Sequence, residues 1–255
     1  MNLDNKTMIV VGAGGRLGQV IVESILKAGG NVAAIDSHPQ ALEKLQIEYK
    51  GQDRVLCLQG DITQLLSLQN TLSQAAQYFT QIDGAVNTAY PHNQHYGQSF
   101  LDVTYENFSE NMALHLGGYF LFMQQCVKYA LAAKSKFSLV NLASIYGSIA
   151  PRFELYSDTA MTMPVEYAAI KAALLHLVKY VTAYTKGSKF RVNCVSPGGI
   201  LAEQDKQFLQ RYNQCCREKG MLEPKDVVGA ILFLLSEDSD FICGQNIIID
   251  DGFHL

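Results

Sequence analysis

The sequence predicts an α/β protein with a doubly wound parallel sheet. Short continuous apolar runs alternate along the chain with longer segments in which apolar residues recur at helical spacing. The short runs do not alternate polar with apolar residues, which is typical of parallel strands that helices cover on both faces. A chain of 255 residues, 48% of them hydrophobic, can bury one sizeable core. We therefore expect a single domain over residues 1–255 with about seven strands.

Seven apolar runs are predicted to form the strands. Several resemble the first, Met8-Ile9-Val10-Val11, in which β-branched residues dominate and fit a pleated sheet. In chain order the runs lie at residues 8–11, 31–35, 55–58, 84–87, 139–142, 192–195 and 247–249.

Five segments between these runs are predicted to be helical. In the first, Leu17, Ile21 and Ile25 recur at a spacing of four, and the glycine pair at 29–30 ends the helix. Pro39 begins the second helix, because the fixed φ of proline fits a first helical turn. The predicted helices cover residues 17–26, 39–49, 63–78, 108–133 and 164–186.

A glycine-rich turn follows the first strand and opens the first helix. Its sequence is Gly12-Ala13-Gly14-Gly15-Arg16-Leu17-Gly18. Glycine lacks the Cβ that would keep the backbone away from a pyrophosphate, and amides at a helix N-terminus bind phosphate. Such a turn can also be purely steric. Its position after the first strand favours a dinucleotide site of the Rossmann type.

Two carboxylates at strand ends extend this predicted site. Asp36 ends the second strand, where a carboxylate accepts hydrogen bonds from the ribose hydroxyls of NAD and repels the 2′-phosphate of NADP. It is also placed to cap the helix at Pro39. Arg16 argues the other way, because a cation in the turn can meet a 2′-phosphate; on balance we favour NAD. Asp61 follows the third strand and is expected either to bind the adenine amino group or to cap the next helix.

Tyr167, Lys171 and Ser144 are the candidate catalytic residues. Tyr167 and Lys171 are four residues apart on a predicted helix and therefore share one face. An ammonium about 4 Å from a phenol favours the tyrosinate by roughly 4 kcal/mol, a decrease of about three units in the pKa of tyrosine. Ser144 ends the fifth strand, where it can orient a substrate oxygen. The alternative is a surface helix with an incidental lysine.

Composition excludes several classes of protein. The formal net charge of −4 lacks the basic surface that nucleic-acid binding requires. No run approaches the roughly 18–20 apolar residues that span a membrane, and no signal peptide is evident. The six cysteines include no CxxC pair, which favours free thiols in a reducing compartment. We expect a cytoplasmic protein that binds a small molecule and no metal, nucleic acid or membrane.

Several motifs stand in a fixed order along nearly the whole chain. Besides the glycine turn, Ser144 and Tyr167-Ala168-Ala169-Ile170-Lys171, they are Asp61-Ile62-Thr63, Val86-Asn87-Thr88-Ala89, Arg191-Val192-Asn193-Cys194-Val195-Ser196-Pro197-Gly198 and Phe241-Ile242-Cys243-Gly244-Gln245. Together they resemble the short-chain dehydrogenase/reductase family. The resemblance implies an NAD(P)-dependent oxidoreductase in which Tyr167 is the acid/base, Lys171 contacts the nicotinamide ribose and Ser144 contacts the substrate. The residues expected at the cofactor are Gly12, Gly14, Gly15, Arg16, Leu17, Gly18, Asp36, Asp61, Ile62, Asn87, Ala89, Tyr167, Lys171, Pro197, Gly198 and Ile200.

Departures from the family pattern concentrate near the expected substrate. His115 replaces an asparagine that serves a proton relay to the lysine, so we count it with the catalytic residues; the alternative is a helix histidine bonded to local backbone. Tyr90 follows Asn87-Thr88-Ala89 and brings a ring near the pocket. An insertion at about 148–164 is expected over the substrate, with Arg152 meeting a phosphate or carboxylate and Tyr156 stacking on a sugar, unless it is a solvated surface loop. A lid is expected at about 201–220.

The residues around Ser144 and Tyr167, at 141–147 and 162–167, are similar to bacterial oxidoreductases linked to flagellin modification, which are associated with acidic nine-carbon sugars. The leading hypothesis is an NAD(H)-dependent interconversion of a secondary alcohol and a ketone on a sugar-like metabolite, including phosphorylated and nucleotide-linked ones. One alternative is a sugar epimerase or dehydratase that uses NAD transiently. Another is a non-catalytic dinucleotide-binding subunit.

The helices at 108–133 and 164–186 are apolar around more than one stripe. In the helix at 164–186, the apolar residues cover a wider surface than one face of the sheet requires. They include Leu174, Leu175, Leu177, Val178 and Val181. The excess predicts a partner surface, and the resemblance implies the same pairing. We therefore expect a homo-oligomer, a tetramer or a dimer.

Overall fold

Seven parallel strands form one sheet in the computed structural model, which describes residues 1–255. The strands are β1 (Thr7–Val11), β2 (Asn31–Asp36), β3 (Val55–Gln59), β4 (Gly84–Asn87), β5 (Phe137–Leu142), β6 (Phe190–Pro197) and β7 (Asn246–Ile249). They are ordered β3-β2-β1-β4-β5-β6-β7. The chain winds outward in both directions from β1 and β4, so a crevice opens at the carboxyl ends of these two strands. The predicted fold class is confirmed.

Eight α-helices cover the two faces of the sheet. They are α1 (Arg16–Lys27), α2 (Pro39–Glu48), α3 (Leu65–Phe79), α4 (Tyr105–Asn111), α5 (Gly117–Ala133), α6 (Val165–Tyr184), α7 (Lys206–Gln214) and α8 (Pro224–Leu235). The single helix predicted over 108–133 consists of α4, a π-helical turn at Met112–Leu116, and α5. None of the helices has the length and apolar character needed to cross a membrane.

Side chains alternate between the two faces along each strand and enter two cores. On β1, Ile9 and Val11 face a core that includes Phe122 of α5 and Leu174 of α6. Met8 and Val10 of the same strand face the opposite core, formed largely with α1 and α8. These four side chains of β1 are buried, and each fully buried aliphatic side chain contributes about 1.5–3 kcal/mol. Burial on both faces explains why the strand sequences are apolar throughout.

The paired strands end together at the edge that carries the polar residues. Val11 pairs with Ile35 on one side and with Asn87 on the other, and Asn87 pairs with Asn141. The segments that leave these strands therefore start side by side. This edge is where the sequence places its candidate site.

Candidate active site

Glycine is required at two positions of the turn after β1. Gly12 has a φ of +74°, and a Cβ there would lie 2.7 Å from Thr88 Oγ1. A Cβ on Gly18 would lie 2.1 Å from the carbonyl oxygen of Gly12. The turn thus packs against itself and against the end of β4, which fixes how α1 begins.

The N-terminus of α1 presents free backbone donors. Its first intrahelical hydrogen bond runs from the amide of Gln19 to the carbonyl oxygen of Gly15, 2.9 Å, so the amides of Arg16, Leu17 and Gly18 have no protein acceptor. Gly15, the residue before the helix, adds no side-chain cap. Free amides at the positive end of a helix suit the phosphates of a dinucleotide.

A cavity of about 330 Å³ adjoins this turn. Of the residues predicted at the cofactor, its lining includes Gly12, Gly14, Gly15, Asp36, Asp61, Ile62 and Ala89. The buried carboxylate of Asp36 accepts hydrogen bonds from the amides of Gly14, 2.9 Å, and His38, 3.0 Å. Asp36 therefore joins the glycine turn to the end of β2 and brings a negative charge to the cavity wall.

Asp61 and Asn87 hold the chain where it leaves β3 and β4. The Asp61 carboxylate accepts hydrogen bonds from the amide and hydroxyl of Thr63, both 2.8 Å. Thr63 lies in the turn before α3, and the residue that precedes this helix, Gln64, has no side-chain cap, so Asp61 closes the turn and does not cap the helix. Asn87 Oδ1 accepts a hydrogen bond from the amide of Ala89 at 3.1 Å, whereas Asn87 Nδ2 is buried without a partner. A buried donor without a partner next to the cavity fits a polar ligand. The residues present are therefore compatible with a dinucleotide.

The other residues predicted at the cofactor lie outside this cavity. Tyr167, Gly198 and Ile200 line a second cavity, whereas Arg16, Leu17, Gly18, Asn87, Lys171 and Pro197 line neither. The Arg16 guanidinium donates to the carbonyl oxygen of Leu201 at 2.6 Å, so it connects the glycine turn to the segment after β6. Arg16 is consequently engaged away from the position where a 2′-phosphate was considered.

Ser144, Tyr167 and Lys171 come together beyond the end of β5. Ser144 is buried and its hydroxyl accepts a hydrogen bond from the amide of Tyr146 at 3.2 Å. Tyr167 lies in the first turn of α6, and Lys171 lies one turn further along. The Lys171 ammonium is 5.5 Å from the centroid of the Tyr167 ring and donates to the carbonyl oxygen of Leu142 at 2.7 Å.

Loss of water around these groups controls their protonation. It raises the pKa of Tyr167, against which a hydrogen bond with Ser144 acts. It also lowers the pKa of Lys171 to about 7. The expectation that the ammonium lowers the phenol pKa is therefore not met, because loss of water around the phenolate is the main influence on Tyr167 and raises its pKa.

His115 contacts the lysine directly. It lies in the π-helical turn, is fully buried, and places Nε2 3.3 Å from Lys171 Nζ. Because an ammonium can only donate, Nε2 accepts and the proton of the neutral ring belongs on Nδ1, which is buried without a partner. Neither ring nitrogen bonds to local backbone, so the geometry favours the relay position over a locally bonded helix histidine. Burial, and then the Lys171 charge, lower the pKa of His115 to about 2.

An aromatic cluster from the segment after β4 packs over His115 and Tyr167. The Tyr90 ring lies 4.9 Å from that of His115 and 5.8 Å from that of Tyr167, between centroids. The Tyr90 and Tyr96 hydroxyls are 2.6 Å apart, and His92 stacks on Tyr96. Sequence reasoning identified Tyr90 but missed His92 and Tyr96, because irregular loops carry no periodic signal.

A second cavity of about 320 Å³ opens beside Ser144 and Tyr167. Tyr90 lines both cavities, so the two adjoin at its ring. The insertion at 148–164 contributes Tyr156, and the lid segment contributes Phe208 and Tyr212 of α7. These lid side chains, like Tyr146, were not foreseen, since α7 gave no clear pattern in the sequence.

Arg152 is not among the residues that line this cavity. Its guanidinium lies 4.8 Å from the centroid of the Phe253 ring and donates to the carbonyl oxygen of Leu255 at 3.4 Å. Phe253 is fully buried and stacks on Tyr212. The C-terminal segment therefore draws Arg152 away from the position over the substrate where sequence reasoning placed it.

Comparison with known proteins identifies the family. A family model described as enoyl-(acyl carrier protein) reductase matches residues 12–254. Post-translational flagellin modification protein A of Campylobacter coli is 38% identical over 99% of this chain and 100% of its own length. The chain belongs to the short-chain dehydrogenase/reductase family. The resemblance drawn from its motifs is thus confirmed.

Other family members are similar over nearly the whole chain. The 7alpha-hydroxysteroid dehydrogenase of Bacteroides fragilis is 29% identical over 98% of this chain and 94% of its own length. The crystal structure of a short-chain dehydrogenase from Leptospira borgpetersenii with bound NAD+ superposes with a TM-score of 0.88 at 30% identity, covering 100% of this chain and 94% of the other. This chain is therefore an oxidoreductase of the same family, and its fold is that of proteins that bind a nicotinamide dinucleotide.

Replacement of His115 should change how stability depends on pH. The unfolded chain takes up a proton at His115 below a pKa of about 6.5, whereas the folded protein, with a pKa of about 2, does not. The contribution to folding is therefore fully present above pH 6.5 and is lost as pH falls. We expect the urea unfolding free energy to fall about 2 kcal/mol less between pH 7 and 5 in His115→Asn than in the wild type.

The matched control is His176→Asn, which changes an exposed histidine on α6 and should retain the wild-type pH dependence. Identical slopes for the wild type and His115→Asn would contradict the assignment of a neutral, buried imidazole.

Proposed function

We propose that this protein is an NAD(H)-dependent oxidoreductase that interconverts a secondary alcohol and a ketone on a sugar-like metabolite. One observation carries the proposal. Ser144 and Tyr167 line a second cavity that adjoins the proposed dinucleotide cavity, since Tyr90 borders both. The NAD+ bound to the Leptospira relative supports the cofactor class. The Campylobacter relative is named for flagellin modification, and the resemblance of residues 141–147 and 162–167 to such oxidoreductases supports a sugar-like substrate.

Tyr167 exchanges the proton with the substrate oxygen in this proposal. Its raised pKa keeps the phenol protonated, which is the form that donates to a carbonyl oxygen during reduction. Ser144 orients the same oxygen through its hydroxyl. The bound nicotinamide supplies or takes up the hydride, so that ketone, NADH and a proton balance against alcohol and NAD+.

Lys171 stabilises the phenolate that remains after the proton has left Tyr167. Its position is fixed by two acceptors, the Leu142 carbonyl oxygen and His115 Nε2. The histidine thus acts as a positioning residue for the ammonium. A lysine with a pKa of about 7 can also take part in the return of a proton near neutrality.

Two observations bear on the alternative functions. No Asp, Glu or His lines the substrate cavity, and a dehydratase needs such a group beside the tyrosine. Glu154 is exposed, while the buried Glu166 accepts a hydrogen bond from Asn111 at 3.2 Å. Net oxidoreduction is therefore favoured over dehydration, and the assembled Ser144, Tyr167 and Lys171 argue against a non-catalytic subunit.

Tyr167→Phe tests the proposed function. Loss of the hydroxyl should lower kcat by about 10²- to 10⁴-fold, because no other group exchanges the proton, while the Kd for NADH stays within about twofold. A continuous assay of NADH absorbance gives kcat, and fluorescence titration with NADH gives the Kd. Tyr180→Phe, an exposed tyrosine on the same helix, is the control. Unchanged turnover in Tyr167→Phe would refute the assignment.

Asp36 is proposed to set the preference for NAD over NADP. Its carboxylate lies on the wall of the dinucleotide cavity and would repel a 2′-phosphate. We expect Asp36→Ser to move the ratio of kcat/KM for NADP to that for NAD upward by at least about tenfold. A purely structural defect lowers both values and leaves their ratio unchanged. Asp53→Ser, at an exposed position, should keep the wild-type ratio.

We further propose that the protein is a homo-oligomer, a tetramer or a dimer, that works in the cytoplasm. Large apolar side chains are exposed on the outer faces of α5 and α6, among them Phe120 at 47%, Tyr180 at 64% and Tyr184 at 71%. Such a surface suits a second copy of the chain. All six cysteines are free, which agrees with a reducing compartment.

Light scattering on the purified protein at micromolar concentration tests the assembly. The wild type should have a mass of two or four chains, and Phe120→Glu should lower it, because a buried unpaired charge destabilises an interface. Leu66→Glu, which alters an exposed leucine of α3, should leave the mass unchanged. A monomeric wild type would contradict the proposal.

A further inference from the structure

The proposed substrate cavity contains no charged side chain. No Asp, Glu, Lys, Arg or His is among its lining residues, and most of them are hydrophobic. Tyrosines and methionines form much of the wall, including Tyr146, Tyr156, Met161, Met163 and Met221. A volume of about 320 Å³ lies at the lower end of the range for ligand sites, about 300–1,000 Å³. The space therefore suits a single small ring.

Three arginines on the segments around the cavity are engaged elsewhere. Arg152 stacks on Phe253 and bonds to Leu255, and Arg16 bonds to Leu201. Arg211 of α7 donates to the carbonyl oxygen of Ser157 and pairs with Asp158 at 3.3 Å. None of these three cations is left to neutralise an anionic substrate.

Several polar groups of the wall are also paired within the protein. The Tyr146 and Tyr156 hydroxyls lie 3.3 Å apart, and the Tyr212 hydroxyl accepts a hydrogen bond from the amide of Gly199 at 2.6 Å. The Gln204 side chain donates to the carbonyl oxygen of Ile200 and accepts from the amide of Ala202. The remaining surface near Ser144 and Tyr167 is therefore dominated by aromatic faces and thioethers, which pack against a ring.

We propose that this cavity selects an uncharged cyclic alcohol or ketone and excludes phosphate, diphosphate and carboxylate groups. The inference rests on the proposed function and narrows it, because an unphosphorylated sugar ring fits while the phosphorylated and nucleotide-linked sugars expected from the sequence do not. An anion that enters such a cavity loses its water and gains no cation among the lining side chains in return.

A matched pair of ketones tests the charge rule. The neutral 4-oxocyclohexanecarboxamide and the anionic 4-oxocyclohexanecarboxylate have nearly the same shape and differ by one charge. With NADH and the wild-type protein, we expect kcat/KM for the carboxamide to exceed that for the carboxylate by at least about 100-fold. Isothermal titration of the NADH-loaded protein with each ketone should show the same order of affinity. Comparable values for the two ketones, or no binding of the carboxamide, would overturn the proposal.

A cation placed in the cavity should reverse the selection. Met163 lines the cavity and is half-buried, so Met163→Lys can add an ammonium. We expect this variant to raise the carboxylate-to-carboxamide ratio of kcat/KM by at least tenfold, as close opposite charges do at a partly buried site. Met163→Leu should keep the wild-type ratio, since it conserves charge and approximate volume. Thermal melting checks folding, and Gln204→Lys provides a second cation if Met163→Lys does not fold.

The outcomes separate this inference from the proposed function. If the carboxamide binds selectively but no ketone is reduced, the charge rule stands and the proposed interconversion of alcohol and ketone fails. If both ketones are reduced equally and Tyr167→Phe abolishes the reaction, the function stands and the charge rule fails.

Discussion

The removal of the Lys171 ammonium from water is the constraint on which the site depends. The side chain is 3% exposed and is held by the last carbonyl oxygen of β5 and by His115. An ammonium in such surroundings is tolerated only when its donors have acceptors. The end of β5 and the π-helical turn must therefore both be in place beside α6 before the ammonium of Lys171 has its two acceptors. Correct folding of these segments therefore also sets the geometry of the candidate site.

The π-helical turn supplies what a regular helix would not. Turns of this kind insert one extra residue into a helix and often lie at functional sites. Here the turn at Met112–Leu116 brings His115 to Lys171 while α5 continues into the core through Phe122. The imidazole takes up space beside the lysine and offers it a direct acceptor. Its ring also packs against Tyr90, so the turn links the lysine to the wall between the two cavities.

The framework of the site followed from the sequence, whereas its walls did not. The apolar runs predicted β1 to β7, and the position of the glycine turn after β1 predicted which end of α1 faces the first cavity. Local spacing predicted that Tyr167 and Lys171 share a face. The direction of the Tyr167 pKa shift was wrong, because spacing does not report how much water a group loses. Arg152 was misplaced because the C-terminal segment that binds it is distant in sequence. Tyr212 of α7 was missed for the same reason, since its stacking partner Phe253 lies in that segment.

Tyr212 connects the wall of the proposed substrate cavity to the backbone after β6. Its ring packs on Phe253 and lines the substrate side, while its hydroxyl holds the Gly199 amide next to Ile200. A change in α7 that alters which molecules are accepted will therefore also shift the backbone that leaves β6. Because the cofactor is proposed to bind at Gly198 and Ile200, a redesign of the substrate cavity through α7 must include the backbone after β6 as well.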